Sequence, residues 1–329
     1  MASLRIGVLG AADIAPRALI APARDNPDTV VAAVAARDLS RARSYAHEHG
    51  IPTAFGSYDD LLASDDVDAI YVPTPNGLHG RWTRAAIAAG KHVLCEKPFA
   101  ANADEAREVA AVAAGSGLVV MEAFHNLYHP VTRFMQDVIS SGELGSIRSV
   151  ESDFAFSIPD QPDNVRWSLA LAGGALMDVG CYPLRLMRAL GLGEPRVLSA
   201  SATEFAPGVD GSMVVSVQFP GGATGTASSS MMREAHMSAT ITGERGTLVS
   251  THPFLPHEGN EFTVTTTEGA RVEKVTNETT YAYQLRAFVA AIRDGSPVVS
   301  DAQDAVATMS LIDDAYRTAG MPLRQPRLD

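Results

Sequence analysis

The sequence predicts an α/β protein: a doubly wound domain of parallel strands over residues 1–124, followed over 125–329 by a second α/β domain with a large, open, mostly antiparallel sheet. Three observations predict it. From Leu4 to about Ala123, short aliphatic runs alternate with alanine-rich helical stretches, the pattern of a parallel sheet covered on both faces. The first run ends in a turn of small residues. Beyond residue 124 the runs instead alternate Ser/Thr with apolar residues and are joined by short turns, as in an antiparallel sheet with one wetter face.

In chain order, the first five runs are LRIGVLG, TVVAAVAA, VDAIYVP, HVLCE and GLVVMEA. RARSYAHEHG, RWTRAAIAAG and ADEAREVAAVAAGSG supply helices between them. The segment HPVTRFMQDVISSG reads as a helix, IRSVESDFAFSI as a strand, and Gly174 to Leu190 as a glycine-containing helix. VLSASATEF, GSMVVSVQF, ATGTASSSM, HMSATITG, GTLVS and NEFTVTTTEG then read as strands. Helices near Tyr281–Ile292 and Asp301–Thr318 close the chain, the last expected to pack near the first domain. No repeat or low-complexity linker intervenes, so the two domains are expected to meet along a cleft.

Composition narrows the function. With 329 residues, 46% hydrophobic and 19% charged, the chain is that of an ordinary folded protein. It has 38 acidic against 26 basic residues, a net charge of −12, and no basic cluster able to follow a phosphate backbone. Nucleic acid is therefore not an expected partner. No apolar run approaches the roughly 20 residues of a spanning helix, and MASLRIGVLG lacks a signal-peptide pattern, so no membrane association is expected. Cys95 and Cys181 offer neither a metal cluster nor a disulfide framework and read as core thiols of a cytoplasmic protein.

The stretch IGVLGAADIAPRAL places Gly10, Ala12 and Ala15 at the three positions where a dinucleotide turn needs small residues, with Asp13 and Ile14 in the same loop. Two alanines weaken the motif, and a plain strand-turn-helix is the alternative. The downstream βα pattern favours a nucleotide, its phosphates at the positive helix end. At the end of the second run, Ala35 and Ala36 precede Arg37, Asp38 and then Arg41. Arginine there attracts a 2′-phosphate, so NADP is the expected cofactor, with NAD the alternative if Asp38 reaches the ribose rather than capping a helix from Ser40. In YVPTPNGLHG, Pro73 and Pro75 stiffen a loop at a strand's carboxyl end. Thr74, Asn76 and His79 are its candidate ligand contacts. A helix cap for Asn76 and a surface position for His79 are the alternatives.

Lys97 lies at the end of the HVLCE run, where Pro98 stops a sheet ladder and Glu96 can pair with it or with backbone. Its charge suits holding a substrate oxygen and lowering the pKa of a neighbouring acid. A solvated loop lysine is the alternative. In GGALMDVGCYPLRLMRAL, Asp178 and Tyr182 are four apart, on one helix face, and Gly173, Gly174 and Gly180 permit close approach. Tyrosine beside a cationic lysine can give a proton to a developing alkoxide or take one from an alcohol. Interdomain packing is the alternative for Tyr182, and orientation of substrate or Lys97 that for Asp178. His125, Asn126 and Tyr128, with His129, come from MEAFHNLYHP and are candidates for the substrate side, as is Arg166. No metal motif is present.

These residues carry a resemblance. GVLGAADIA, PTPNGLH, CEKP with Lys97, and GGALMDVGCYP together resemble the glucose-fructose oxidoreductase / inositol dehydrogenase (Gfo/Idh/MocA) family over essentially the whole chain. The resemblance implies a Rossmann domain, a second domain whose open sheet forms a homodimer or homotetramer, and oxidation or reduction of sugars, polyols or related alcohols. It implies Lys97 and Tyr182 as the catalytic pair. Many members have histidine where Tyr182 stands. Tyrosine there, with Arg37 and Asp38, is similar to the branch of dihydrodiol dehydrogenases and D-xylose dehydrogenases.

The expected function is an NADP-dependent oxidoreductase acting on a sugar, polyol or cyclic diol. The alternatives are a 3-keto-type reductase of nucleotide-linked sugars and a non-catalytic NADP-binding regulatory protein, the latter disfavoured by the presence of both Lys97 and Tyr182. Hydrolysis through transient oxidation would call for tightly held NAD, against the Arg37 reading.

Overall fold

The computed structural model describes residues 2–159, 161 and 164–327. It separates into two compact units, Met1–Phe124 with Tyr281–Val306 and Pro326–Asp329, and His125–Thr280 with Ala307–Gln325.

The first unit is built on six parallel strands: β1 (Leu4–Leu9), β2 (Thr29–Ala35), β3 (Thr53–Phe55), β4 (Ala69–Val72), β5 (His92–Cys95) and β6 (Val120–Glu122). A π-helical turn at Pro16–Ile20 runs into α1 (Ala21–Arg24). α2 (Leu39–His49), α3 (Tyr58–Leu62), α4 (His79–Ala88) and α5 (Ala103–Ala114) follow. Side chains start three of these helices by accepting a backbone N–H: Asp38 for α2, Ser57 for α3 and Asn102 for α5. Every residue of β4 is buried, as a strand with both faces covered must be. The order β3-β2-β1-β4-β5-β6 reverses direction between β1 and β4, which sets the carboxyl ends of those two strands at the ligand-binding switch point.

The segment after residue 280 is tied to β6. Glu122 N donates to Ser300 O at 2.8 Å, and the Ser300 hydroxyl donates to Glu122 O at 2.7 Å.

In the second unit α6 (Pro130–Ser140) precedes β7 (Ile147–Ala155), and α7 (Cys181–Ala189) follows a π-helical turn at Leu176–Gly180. The strands β8 (Arg196–Ala206), β9 (Val209–Gln218), β10 (Thr224–Ser230), β11 (His236–Gly243), β12 (Gly246–Thr251), β13 (Glu261–Thr266) and β14 (Gly269–Glu273) complete its sheet. Their order is β14-β13-β12-β11-β7-β10-β9-β8, antiparallel throughout except for the parallel β7–β10 pair. Burial alternates as a two-residue period requires: in β9, Met213, Val215 and Val217 are fully buried while Val214 is 42% exposed. α7 packs on β7 and β10. There Gly180 permits close approach, since a Cβ would stand 2.7 Å from Ser229 Oγ. Of the last two helices, α8 (Thr280–Asp294) belongs from Tyr281 onward to the first unit, and α9 (Ala302–Thr318) belongs to the second from Ala307 onward.

No helix among the described residues is long and apolar enough to cross a membrane.

Candidate functional site

At the end of β1, Gly10 takes φ +121°, a conformation that a side chain would strain. The turn behind it is braced by α2: Arg41 Nη2 donates to Ala11 O at 3.0 Å, and Tyr45 Oη to Ala12 O at 3.0 Å. Ala12 is half-buried, Asp13 exposed and Ile14 half-buried, while Ala15 is fully buried at the third small position. Asp38 is engaged as a cap, accepting Arg41 N at 2.9 Å and the Ser40 hydroxyl at 2.5 Å, bonds that lower its pKa. Arg37 is exposed. Burial raises the pKa of Tyr58, and the charges of Arg37 and Arg41 pull it back, so both guanidinium groups act on one locality. A capping carboxylate beside two cations suits an additional phosphate better than bare ribose hydroxyls.

The loop that carries Lys97 is held at each step. Glu96 Oε1 accepts the Tyr71 hydroxyl at 2.6 Å, Pro98 O lies 2.7 Å from His79 Nδ1, Phe99 N donates to Glu122 Oε1 at 2.8 Å, and Ala101 N donates to Glu105 Oε2 at 2.9 Å. The Lys97–Pro98 peptide is cis and Lys97 is half-buried. Burial raises the pKa of Glu96, opposed first by the Lys97 charge and then by the Tyr71 hydroxyl. The ring of His79 lies within the fold, 1% exposed, with Nε2 at 2.6 Å from Thr74 O. Both of its nitrogens therefore face backbone carbonyls. His79 ties the Pro73–Thr74–Pro75 loop to the Lys97 loop and has no nitrogen left for a ligand, unlike either sequence expectation for it. Burial holds its pKa at about 4. Pro73 and Thr74 are buried, and Asn76 opens a 3-10 turn at Asn76–Leu78 before α4. Thr74 Oγ1 has no hydrogen-bond partner among the described residues.

In the second unit, Asp178 lies in the π-helical turn and Tyr182 in the first turn of α7. Asp178 Oδ2 accepts from Arg166 Nε at 3.1 Å. The Tyr182 hydroxyl lies 3.0 Å from His125 Nε2, and the rings of Phe154 and Phe254 flank the Tyr182 ring, centroid to centroid, at 5.4 and 5.5 Å. His125 is 2% and Tyr182 6% exposed. Asn126 is buried, and its Oδ1 has no hydrogen-bond partner among the described residues; Tyr128 is half-buried.

The approach to Asp178 is fixed by a group the sequence reading did not single out. Asp210 Oδ2 accepts Leu176 N at 2.7 Å, and its Oδ1 accepts Arg324 Nη2 at 2.6 Å and the Tyr316 hydroxyl at 2.9 Å. Arg324 Nε donates to Gly173 O at 2.7 Å. Burial raises the pKa of Asp210 to about 6, against Arg324, the Leu176 amide and the Tyr316 hydroxyl. Within the first unit, the Gly10 turn and the fixed lysine loop at strand carboxyl ends suit a bound dinucleotide, and within the second, a tyrosine among aromatic rings suits proton exchange with an alcohol or carbonyl. No three His, Cys, Asp or Glu side chains among the described residues are grouped to hold a metal ion.

Comparison with known proteins accords with this chemistry. Residues 4–124 match the model described as "Oxidoreductase family, NAD-binding Rossmann fold", and residues 132–249 match the GFO/IDH/MocA C-terminal domain. A D-xylose 1-dehydrogenase (NADP(+)) 2 of Haloferax volcanii is 38% identical over 96% of this chain and 97% of its own. A trans-1,2-dihydrobenzene-1,2-diol dehydrogenase of Sus scrofa is 38% identical over 66% of this chain and 64% of its own. Among solved structures, the 3-ketoreductase KijD10 of Actinomadura kijaniata, in complex with NADP and TDP-benzene, superposes with a TM-score of 0.89 at 30% identity, covering 96% of this chain and 98% of that one. The chain belongs to the GFO/IDH/MocA family of oxidoreductases.

Proposed function

We propose that the protein is an NADP-dependent dehydrogenase or reductase of a sugar, polyol or cyclic diol. The observation that carries this reading is the Lys97 loop, whose backbone is held by the side chains of His79, Glu105 and Glu122 and whose Glu96 side chain is held by Tyr71, four groups from four different elements. So many constraints on one loop suit a charge that must stay in place. Gly10, Ala12, Asp13 and Ile14 would hold the cofactor's pyrophosphate region, Arg37 and Arg41 its 2′-phosphate, and Pro73, Thr74, Asn76 and Glu96 would border the ring end. NADP, when bound, accepts or donates the hydride. Lys97 donates a hydrogen bond to the substrate oxygen and stabilises negative charge on it. Tyr182 takes the hydroxyl proton in oxidation and returns it in reduction. Asp178 orients the substrate hydroxyl, with Arg166 fixing the carboxylate. Asn126 and Tyr128 are further contacts on the substrate side, and the open second sheet would serve a homodimer or homotetramer.

Reduction of 3-keto sugars linked to a nucleotide is the second reading, favoured by the superposition on KijD10. Initial rates with NADP and NAD against free aldoses, polyols, cyclic diols and nucleotide-linked keto sugars test both. Turnover on free sugars or diols with NADP supports the first. Turnover confined to nucleotide-linked substrates replaces it with the second, and no turnover on any substrate refutes both.

A further inference from the structure

We propose that His125 acts through Tyr182, donating from Nε2–H to the tyrosine oxygen so that the phenolate is stabilised and the phenolic hydrogen, when present, is turned towards the substrate. The inference rests on the reading of Tyr182 as the proton-exchanging group. The two side chains are 57 residues apart in sequence and meet at 3.0 Å, with ring centroids 5.5 Å apart and planes at 57°. Both are nearly excluded from solvent, at 2% and 6% exposure. Phe154 and Phe254 present apolar rings to the tyrosine. In such surroundings a charge on the phenol oxygen is poorly solvated, and a fixed donor counts for more than in water.

Direction matters. If the phenol donated to Nε2, its hydrogen would be held on the imidazole and withheld from the substrate. With Nε2–H donating, the oxygen keeps a partner in both protonation states. In oxidation the substrate O–H bond would break as the tyrosine O–H bond forms, with the tyrosinate taking the proton, and bound oxidised NADP would supply the acceptor for the carbinol hydride. The imidazole keeps its own proton throughout. It is therefore a positioning residue rather than a proton carrier.

The charged and titratable groups around the pair lie on several elements. Asp178 precedes Tyr182 by four residues and is paired with Arg166. Arg185, 5% exposed, follows it by three, and Cys181 adjoins it. His129 follows the turn His125–Tyr128 as the N-cap of α6, its Nδ1 accepting Val131 N at 3.1 Å. Replacing His125 leaves all of these in place.

The test reads ionisation directly, without turnover. In protein labelled with 13Cζ-tyrosine, the Tyr182 resonance is assigned by its loss in Tyr182→Phe and followed against pH. In His125→Phe the Tyr182 titration is expected to move upward by about one to two pH units, the worth of one hydrogen bond to a charged group. His125→Gln, which keeps an N–H donor, should fall between. The pH dependence of kcat/KM for alcohol oxidation should shift in the same order. In the wild type, 15N-histidine spectra should show a protonated Nε2 on His125, a readout that does not depend on how any variant folds. An unprotonated Nε2, or a Tyr182 titration unmoved in a folded His125→Phe protein, overturns the proposal. If Tyr182→Phe turns over like the wild type, the acid/base reading fails instead. If Tyr182→Phe is inactive and the titration is unmoved, only the His125 inference fails.

Discussion

Replacing Arg324 with methionine should destabilise the second unit far more than its distance along the chain from any other element suggests. Arg324 and Asp210 have fully buried side chains joined at 2.6 Å. The guanidinium also donates to Gly173 O, Gly208 O and Pro322 O and lies 4.1 Å from the Tyr316 ring centroid. Methionine keeps most of the apolar bulk but leaves the Asp210 carboxylate with only the Leu176 amide and the Tyr316 hydroxyl. Breaking a buried pair in this way costs about 3–5 kcal/mol. At roughly 2–4 °C per kcal/mol for a domain of about 150–250 residues, thermal unfolding followed by circular dichroism should drop by about 6–20 °C. Arg133→Met is the control, because that side chain is 75% exposed and pairs with the exposed Asp137 on the surface of α6. Its effect should stay within about 0.5 kcal/mol. The double variant Asp210→Leu/Arg324→Met, which removes both charges, should recover part of the loss. A shift for Arg324→Met no larger than that of Arg133→Met would refute the reasoning.

Three further outcomes follow from single contacts. Arg37→Ala should weaken NADP binding by about 10- to 100-fold, the loss of a charge-assisted contact, and leave NAD binding unchanged by calorimetry; equal losses for both would exclude a 2′-phosphate contact. Gly180→Ala should lower stability by roughly 1–3 kcal/mol in urea unfolding, since its Cβ would meet Ser229 Oγ and Leu176 Cδ1 at 2.7 and 2.8 Å. His79 has its pKa lowered from the usual 6.5 to about 4 by burial, so between those values the unfolded chain takes up a proton that the folded chain does not. This group's contribution to stability is complete above about pH 6.5 and is lost as the pH falls towards 4, by roughly 3 kcal/mol. A folded His79→Asn variant should lose stability less steeply over that interval than the wild type, and equal slopes would contradict the assignment.

What could be read in advance was what local pattern encodes. The long aliphatic runs of β1, β2 and β5, and the alternation in β9, announce strands because burial repeats along them. β3 is three half-buried residues and β14 is exposed at every position, so neither carries an apolar signal. The parallel β7–β10 pairing within an otherwise antiparallel sheet depends on strands nearly 70 positions apart, to which local periodicity is blind. The same limit hid the partners of the candidate site. Lys97, Tyr182 and Asp178 were legible as residue types in telling places. The contact of Tyr182 with His125, and the Asp210–Arg324 clamp spanning 114 positions, arise only once the chain is folded. One signal was available: Asn102 and Glu105 stand at capping spacing, and Glu105 turned back to Ala101 N is what steadies the far side of the Lys97 loop.

The central claim is tested most directly by the rate of NADP reduction with free sugars and cyclic diols, measured for the wild type, Lys97→Met and Tyr182→Phe beside NADP affinity by calorimetry. The account requires wild-type turnover that falls by about 10²- to 10⁴-fold in each variant while NADP binding stays close to that of the wild type. Folded variants that retain wild-type turnover would contradict it.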